Sequence, residues 1–192
     1  MSVSLAVGRR RCVAVLGAAL LGAVMSQPGA ATAAQQSAHS GVGLPQDPIP
    51  QGYFVVRNVE SNLVLDIADG STEPGGRVIL WDRKPSDNDN QLWKYDEGFL
   101  VNKKSGLVLE VPGYENGGNI KPGTALVQNK RRERPGSLNQ LWASNYGYLM
   151  PYDPRVVVSA GGDNLTRGAA VVVDRPVDFP NNIRQQWAFE SP

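Results

Sequence analysis

The stretch "NQLW", Asn90–Trp93, returns unchanged at Asn139–Trp142 and again as "RQQW" at Arg184–Trp187. The copies stand 49 and then 45 residues apart. Self-similarity at a fixed period of this length is the signature of a repeat architecture. Working outward, each unit opens on a glycine, an aromatic and apolar residues: Gly52-Tyr53-Phe54, Gly98-Phe99-Leu100 and Gly147-Tyr148-Leu149. Each continues into an apolar segment, "LVLDIADG" (63–70), "LVLEVPGY" (107–114) or "VVVSAGGD" (156–163). A second follows a glycine: "GRVILWD" (76–82), "GTALVQN" (123–129) and "GAAVVVD" (168–174).

These segments are short, rich in β-branched residues and separated by Gly, Pro, Asn and Asp, the pattern of strands and turns. No stretch after residue 35 carries sustained helical periodicity. The reading is all-β, with about four strands in each of three units. Propellers also use four strands per repeat but need four or more blades to close. Three units instead suit a closed barrel of pseudo-threefold symmetry, the β-trefoil. The three repeated tryptophans then occupy equivalent core positions, and each motif glutamine bonds to backbone or polar neighbours.

The first 34 residues are set apart from this pattern. Arg9, Arg10 and Arg11 precede a 14-residue apolar run, Cys12 to Met25, and Ala31-Thr32-Ala33 forms a small-residue cleavage signature. This reads as a secretory signal peptide cleaved near Ala33, and the run is short for a membrane span. Residues 35–51, "QQSAHSGVGLPQDPIPQ", read as a flexible Pro-containing lead-in, and 52–192 as the folded domain. Cleavage removes the only cysteine, so no disulfide is expected. It also leaves 16 bases against 18 acids, a balance that predicts no bulk attraction to nucleic acid or anionic membrane.

The three spaced Gln-x-Trp copies, over Gly52 to about Phe189, resemble the ricin B-type lectins, a family of carbohydrate-binding β-trefoils. The resemblance implies a secreted, non-catalytic sugar binder with no cofactor or metal and glycans as partners. Galactose-type or related sugars are the implied ligands. In that family an Asp accepts hydrogen bonds from two sugar hydroxyls, an aromatic stacks on the sugar face, and the Asn of the motif contacts a further hydroxyl. The motif Gln steadies the Asp. In the first unit Asp66, Trp81, Asn90 and Gln91 fill all four roles. In the second, Glu110, Gln128, Asn139 and Gln140 stand there; Glu110, Asn139 and Gln140 make a candidate second site without its ring. Tyr114 or Tyr146 is the available substitute ring, and the alternative is a solvated Glu110. The third unit offers Ser159, Val173, Arg184 and Gln185, and is not expected to bind in the family's manner.

Trp81 is read as an exposed platform, because it alone among four tryptophans breaks the threefold pattern; the alternative is a filler in an asymmetric core. Asp66 has its own alternative, a turn-capping aspartate. Two departures bear on the sugar: Ile79 stands where many galactose-binding relatives place a polar residue, and Val64 and Arg83 stand near the positions of family cysteines.

Chemistries that need histidine or cysteine are excluded by residue type, while a carboxylate-pair glycosidase is not, although nothing nominates a pair. The only histidine, His39, lies in the lead-in, so Ser-His-Asp and Cys-His catalysis and ordinary zinc sites are absent from the folded domain. The stretch 82–90 lacks the spacing of a calcium loop. The basic run "NKRRERPG" (129–136) suggests an alternative function, a trefoil acting by protein interaction as an inhibitor or effector. The sequence names no oligomeric state.

Overall fold

The computed structural model describes residues 48–162 and 165–192. The expected signal peptide, most of the lead-in and Asn164, the acceptor of an Asn-Leu-Thr glycosylation sequon, lie outside the described residues. Within the expected lead-in, Ile49 packs against the core.

The architecture is a β-trefoil of three units. The first comprises β1 (Tyr53–Asn58), β2 (Val64–Ile67), β3 (Val78–Trp81) and β4 (Trp93–Asp96). The second comprises β5 (Phe99–Asn102), β6 (Val108–Glu110), β7 (Thr124–Ala125), β8 (Val127–Asn129) and β9 (Trp142–Asn145). The third comprises β10 (Tyr148–Pro151), β11 (Val157–Ala160), β12 (Val171–Asp174) and β13 (Trp187–Glu190). Four strands per unit hold throughout, except that the third strand of the second unit is split at Leu126 into β7 and β8.

The unit-opening glycines have a local cause. Register pairs Asp96 with Phe99 and Asn145 with Tyr148, leaving the two-residue turns Glu97-Gly98 and Tyr146-Gly147. Both residues of each turn have positive φ: 49° and 95° in one, 49° and 76° in the other. That is the turn whose twist matches a two-residue hairpin, and glycine carries it without steric cost. Chain closure follows from β1, which pairs antiparallel with both β4 and β13, so the last strand returns to the first. The hairpins β2–β3, β6–β8 and β11–β12 meet through β7–β12 pairing and the bridges Arg77–Val127 and Ile79–Ala170.

The core runs through all three units. Trp93, Trp142 and Trp187 are buried in one cluster with Phe54, Leu100 and Leu149 from the unit-opening strands. Each indole Nε1–H donates to a backbone carbonyl: Trp93 to Leu65 at 3.4 Å, Trp142 to Leu109 and Trp187 to Val158, both at 3.0 Å. Leu65, Leu109 and Val158 are therefore equivalent, and the residues after them, Asp66, Glu110 and Ser159, are equivalent too.

The same geometry corrects one sequence correspondence. Val64, Val108 and Val157 pair with Trp81, Asn129 and Asp174 respectively. The counterparts of Trp81 are thus Asn129 and Asp174, not Gln128 and Val173, which match Leu80. The cause is a doubled glycine. Gly75, Gly123 and Gly168 share the same left-handed φ, 83°, 85° and 81°. Anchoring the first unit on Gly76 shifts its register by one residue, and a one-residue slip moves a strand position to the opposite face. Gln128 is accordingly fully buried. It donates to the carbonyls of Ser71 and Glu73 and accepts from the Ser105 hydroxyl at 2.7 Å.

Candidate functional site

Each motif glutamine closes a 3-10 turn, Asp89–Gln91, Leu138–Gln140 or Ile183–Gln185, and is buried. Its amide performs the same task three times. Gln91 Nε2 donates to the Asp82 carbonyl at 2.8 Å, and its Oε1 accepts from the Lys84 backbone N–H at 2.9 Å. Gln140 does this with Lys130 and Arg132, and Gln185 with Arg175 and Val177. The glutamine is therefore first a clamp on the loop that follows the third strand, and this use is common to all three units.

A second donation is not common. Gln91 Nε2 also reaches Asp66 Oδ2 at 2.8 Å, and Gln140 Nε2 reaches Glu110 Oε2 at 2.6 Å. Ser159 gives Gln185 no carboxylate to hold. In the first unit Asp66 is only 3% exposed and yet lines a cavity of about 350 Å³ together with Trp81 and Asn90. Asp66 pairs with Ile79 across β2–β3, and Trp81, two residues on, shares that face. Trp81 is 39% exposed while Val78, Ile79 and Leu80 are buried, so its ring is not a core filler. The loop before β12 supports it from below: Gly168 stands where a Cβ would come within 4.0 Å of the ring, and Arg167 pairs with Asp82 at 2.6 Å.

Asn90 is anchored by Nδ2 donating to the Ile67 carbonyl at 3.0 Å, which turns its Oδ1 to the cavity. There Oδ1 accepts from the Lys84 ammonium at 3.0 Å, and the same ammonium lies 3.4 Å from Asp66 Oδ2. Lys84 was missed in the sequence, where it reads as one charge in a polar loop; only the clamp of its own N–H by Gln91 brings it back over the site. Asp66 Oδ2 is thus held by Gln91 and Lys84. Among the described residues no hydrogen bond reaches Oδ1, which leaves one oxygen of this cavity-lining carboxylate as an acceptor.

The second unit is built from the same parts and is closed. Glu110 is buried, not the solvated carboxylate that the sequence suggested. Both its oxygens are engaged: Oε1 accepts from Asn129 Nδ2 at 3.3 Å, and Oε2 from Gln140 and from Arg132 at 2.9 Å. Arg132 also donates to Asn139 Oδ1 at 2.7 Å, as Lys84 does to Asn90 Oδ1, so what closes this unit is the second engaged oxygen of Glu110. Of the substitute rings, Tyr114 packs against the core and Tyr146 stands exposed in the turn between β9 and β10. The third unit retains a cavity of about 420 Å³, with Ser159 at the acid position, Asp174 at the ring position and Arg184 in place of the asparagine.

No group of three or more His, Cys, Asp or Glu side chains placed to hold a metal ion occurs among the described residues. No helix among them is long and apolar enough to cross a membrane.

Comparison with known proteins agrees with this fold. Residues 42–129 match the family model described as ricin-type beta-trefoil lectin domain-like. Mucoricin of Rhizopus delemar is 40% identical over 52 residues, which are 27% of this chain and 35% of Mucoricin. The chain thus spans about a third of the length of that curated relative. Among solved structures, the mdaA-1 domain is 28% identical with a TM-score of 0.66, covering 77% of this chain and 94% of that one. The C-half of the earthworm R-type lectin, solved with GalNAc, shares the fold at 20% identity and a TM-score of 0.60, over 74% of this chain and 100% of that one. Residues 42–129 are thus similar to ricin-type β-trefoil lectin-like domains, the chain shares their fold, and the open site of its first unit stands inside the matched segment.

Proposed function

We propose that the chain binds carbohydrate without chemically changing it, through the first-unit cavity, and that its ligands are galactose-type or related glycans. The observation that carries this reading is the pairing of Asp66 Oδ1, a cavity-lining acceptor with no donor among the described residues, with the half-exposed Trp81 ring on the same strand-pair face. A carboxylate fixed on one side by Gln91 and Lys84 accepts adjacent sugar hydroxyls through charge-assisted bonds. The indole supplies flat apolar area for the C–H face of the sugar and loses little rotamer freedom in doing so. Asn90 and Lys84 stand within the same wall and read a further hydroxyl. A single small pocket of this kind binds in the mM range, about −4 kcal/mol. Binding measured by calorimetry or on a glycan array should fall by about tenfold or more in Asp66→Ala and in Trp81→Ala. Unchanged binding in both variants would remove this assignment.

A second reading, action through a protein partner, has a different observation behind it. Val177, Phe179 and Ile183 expose apolar side chains in the loop before the third motif, Phe179 most of all. The basic loop that the sequence pointed to is a poorer surface, since Arg131 pairs with Asp96 and Glu97 and Arg132 with Glu110. Glycan binding lost in the Asp66 variant favours the first reading; protein capture lost in Phe179→Ser, with no glycan binding in wild type, favours the second.

A further inference from the structure

The first-unit cavity does not end at the residues that hold one sugar. Its outer wall is made by Asp69 and Gly70, from the turn after β2, by Asp87, and by Lys104, which the second unit contributes from the turn between β5 and β6. We propose that this outer wall is a second subsite, so that the ligand of the first unit is a galactose-terminated disaccharide or longer glycan rather than a single sugar residue. The inference rests on the reading of the inner cavity given above.

Lys104 is placed there by the fold. Its backbone N–H donates to Asn102 Oδ1 at 3.1 Å and to the Asp89 carbonyl at 3.2 Å, which fixes the turn against the first unit. Its ammonium lies over Gly70 so closely that a Cβ there would stand 2.5 Å from Nζ. A glycine at 70 is what leaves room for it. Two residues past the end of the unit-opening strand, the other units carry Glu60 and Asp153, so the cation at this turn is peculiar to the one that borders the site with a ring.

The polar ends of this outer wall are uncommitted. Lys84 pairs with Asp66 and Lys103 with Asp89. Among the described residues the Lys104 ammonium and the Asp69 and Asp87 carboxylates form no ion pair. Nor do Asp66, Asp69 and Asp87 converge on one point as a metal site would require. They offer separate acceptors beside one donor of three N–H bonds. A sugar stacked on Trp81 and read by Asp66 leaves them unused, whereas a residue linked to that sugar presents its own hydroxyls to them.

The test compares methyl β-galactoside with a panel of galactose-terminated disaccharides, lactose included, by calorimetry on wild type and on Lys104→Met. Methionine retains the unbranched stem and removes the charge. At least one disaccharide should bind wild type about tenfold more tightly than the monosaccharide. In Lys104→Met that ratio should fall below about twofold, with the monosaccharide affinity unchanged. A panel in which no disaccharide gains more than about twofold, or a variant that weakens both ligands alike, overturns the second subsite. Absence of binding by any galactoside overturns the inner-site reading as well, while monosaccharide binding without disaccharide gain removes the outer subsite alone.

Discussion

At the scale of the residue, the three units differ in what stands beside one carboxylate. Register places Trp81, Asn129 and Asp174 at the same point of the strand pair. Asparagine there turns back and bonds the Glu110 carboxylate; Trp81 makes no such bond and leaves the Asp66 oxygen open. Lys84 and Arg132 each span the acid and the motif asparagine, and the difference is that Glu110 is bonded through both oxygens where Asp66 is held through Oδ2. Solvent exposure gives a check that needs no ligand. Trp93, Trp142 and Trp187 are at most 3% exposed, so Trp81 is the accessible indole. Acrylamide should quench about one of four tryptophans in the folded protein, and Trp81→Phe should abolish that quenchable fraction. Sugar titration should shift the emission of wild type and leave that of Trp81→Phe unshifted; a shift surviving in the variant would place the sugar elsewhere.

At the scale of the element, the 3-10 turn with its glutamine is a structural part before it is a functional one. Gln185 holds the Arg175 carbonyl and the Val177 N–H with no carboxylate involved. Gln185→Ala leaves both backbone groups without their partner, a cost of about 1–3 kcal/mol, and should lower the denaturation midpoint without altering glycan affinity. Gln91→Ala should destabilise by a similar amount and weaken binding as well, because Asp66 loses the donor that orients it. Equal affinities in the two variants would show that the clamp has no role in recognition. The elements also explain where a reader of the sequence goes astray. The motif glutamines and tryptophans are legible because each sits at a fixed distance from the next structural event. The strand before them is not, since Gly75-Gly76 offers two anchors and only the left-handed φ of Gly75 selects between them. A buried Gln128 is equally illegible, because its partners Ser71, Glu73 and Ser105 are distant in sequence.

At the scale of the whole molecule, the units are held together by contacts that the repeat pattern does not announce. Asp153, buried in the third unit, accepts from the Ile120 N–H of the second at 3.2 Å and from Arg155 through both carboxylate oxygens. The Arg155 side chain, and then the backbone N–H groups of Arg155 and Ile120, hold its carboxyl down to about 2 against the opposing effect of burial. Between the usual carboxylate value near 4 and that value the unfolded chain binds the extra proton. Stability supplied by Asp153 is therefore present above pH ~4 and lost as pH falls towards ~2. Asp153→Asn should destabilise the protein at neutral pH by about 1–3 kcal/mol and flatten the acid limb of its stability profile in that window. An unchanged acid limb would show that Asp153 does not couple the units. By itself the sequence determined the threefold repeat, the all-β class, the core tryptophans and the unit in which an acid, a ring and the Asn-Gln pair occur together. These depend on local spacing and residue type, which the chain displays openly. Only the tertiary structure decided that Glu110 is buried and internally satisfied, that Trp81 faces solvent, and that Lys84 and Lys104 reach the same cavity. Those outcomes turn on which face a strand presents and on side chains that meet across loops and units, and no linear spacing encodes them.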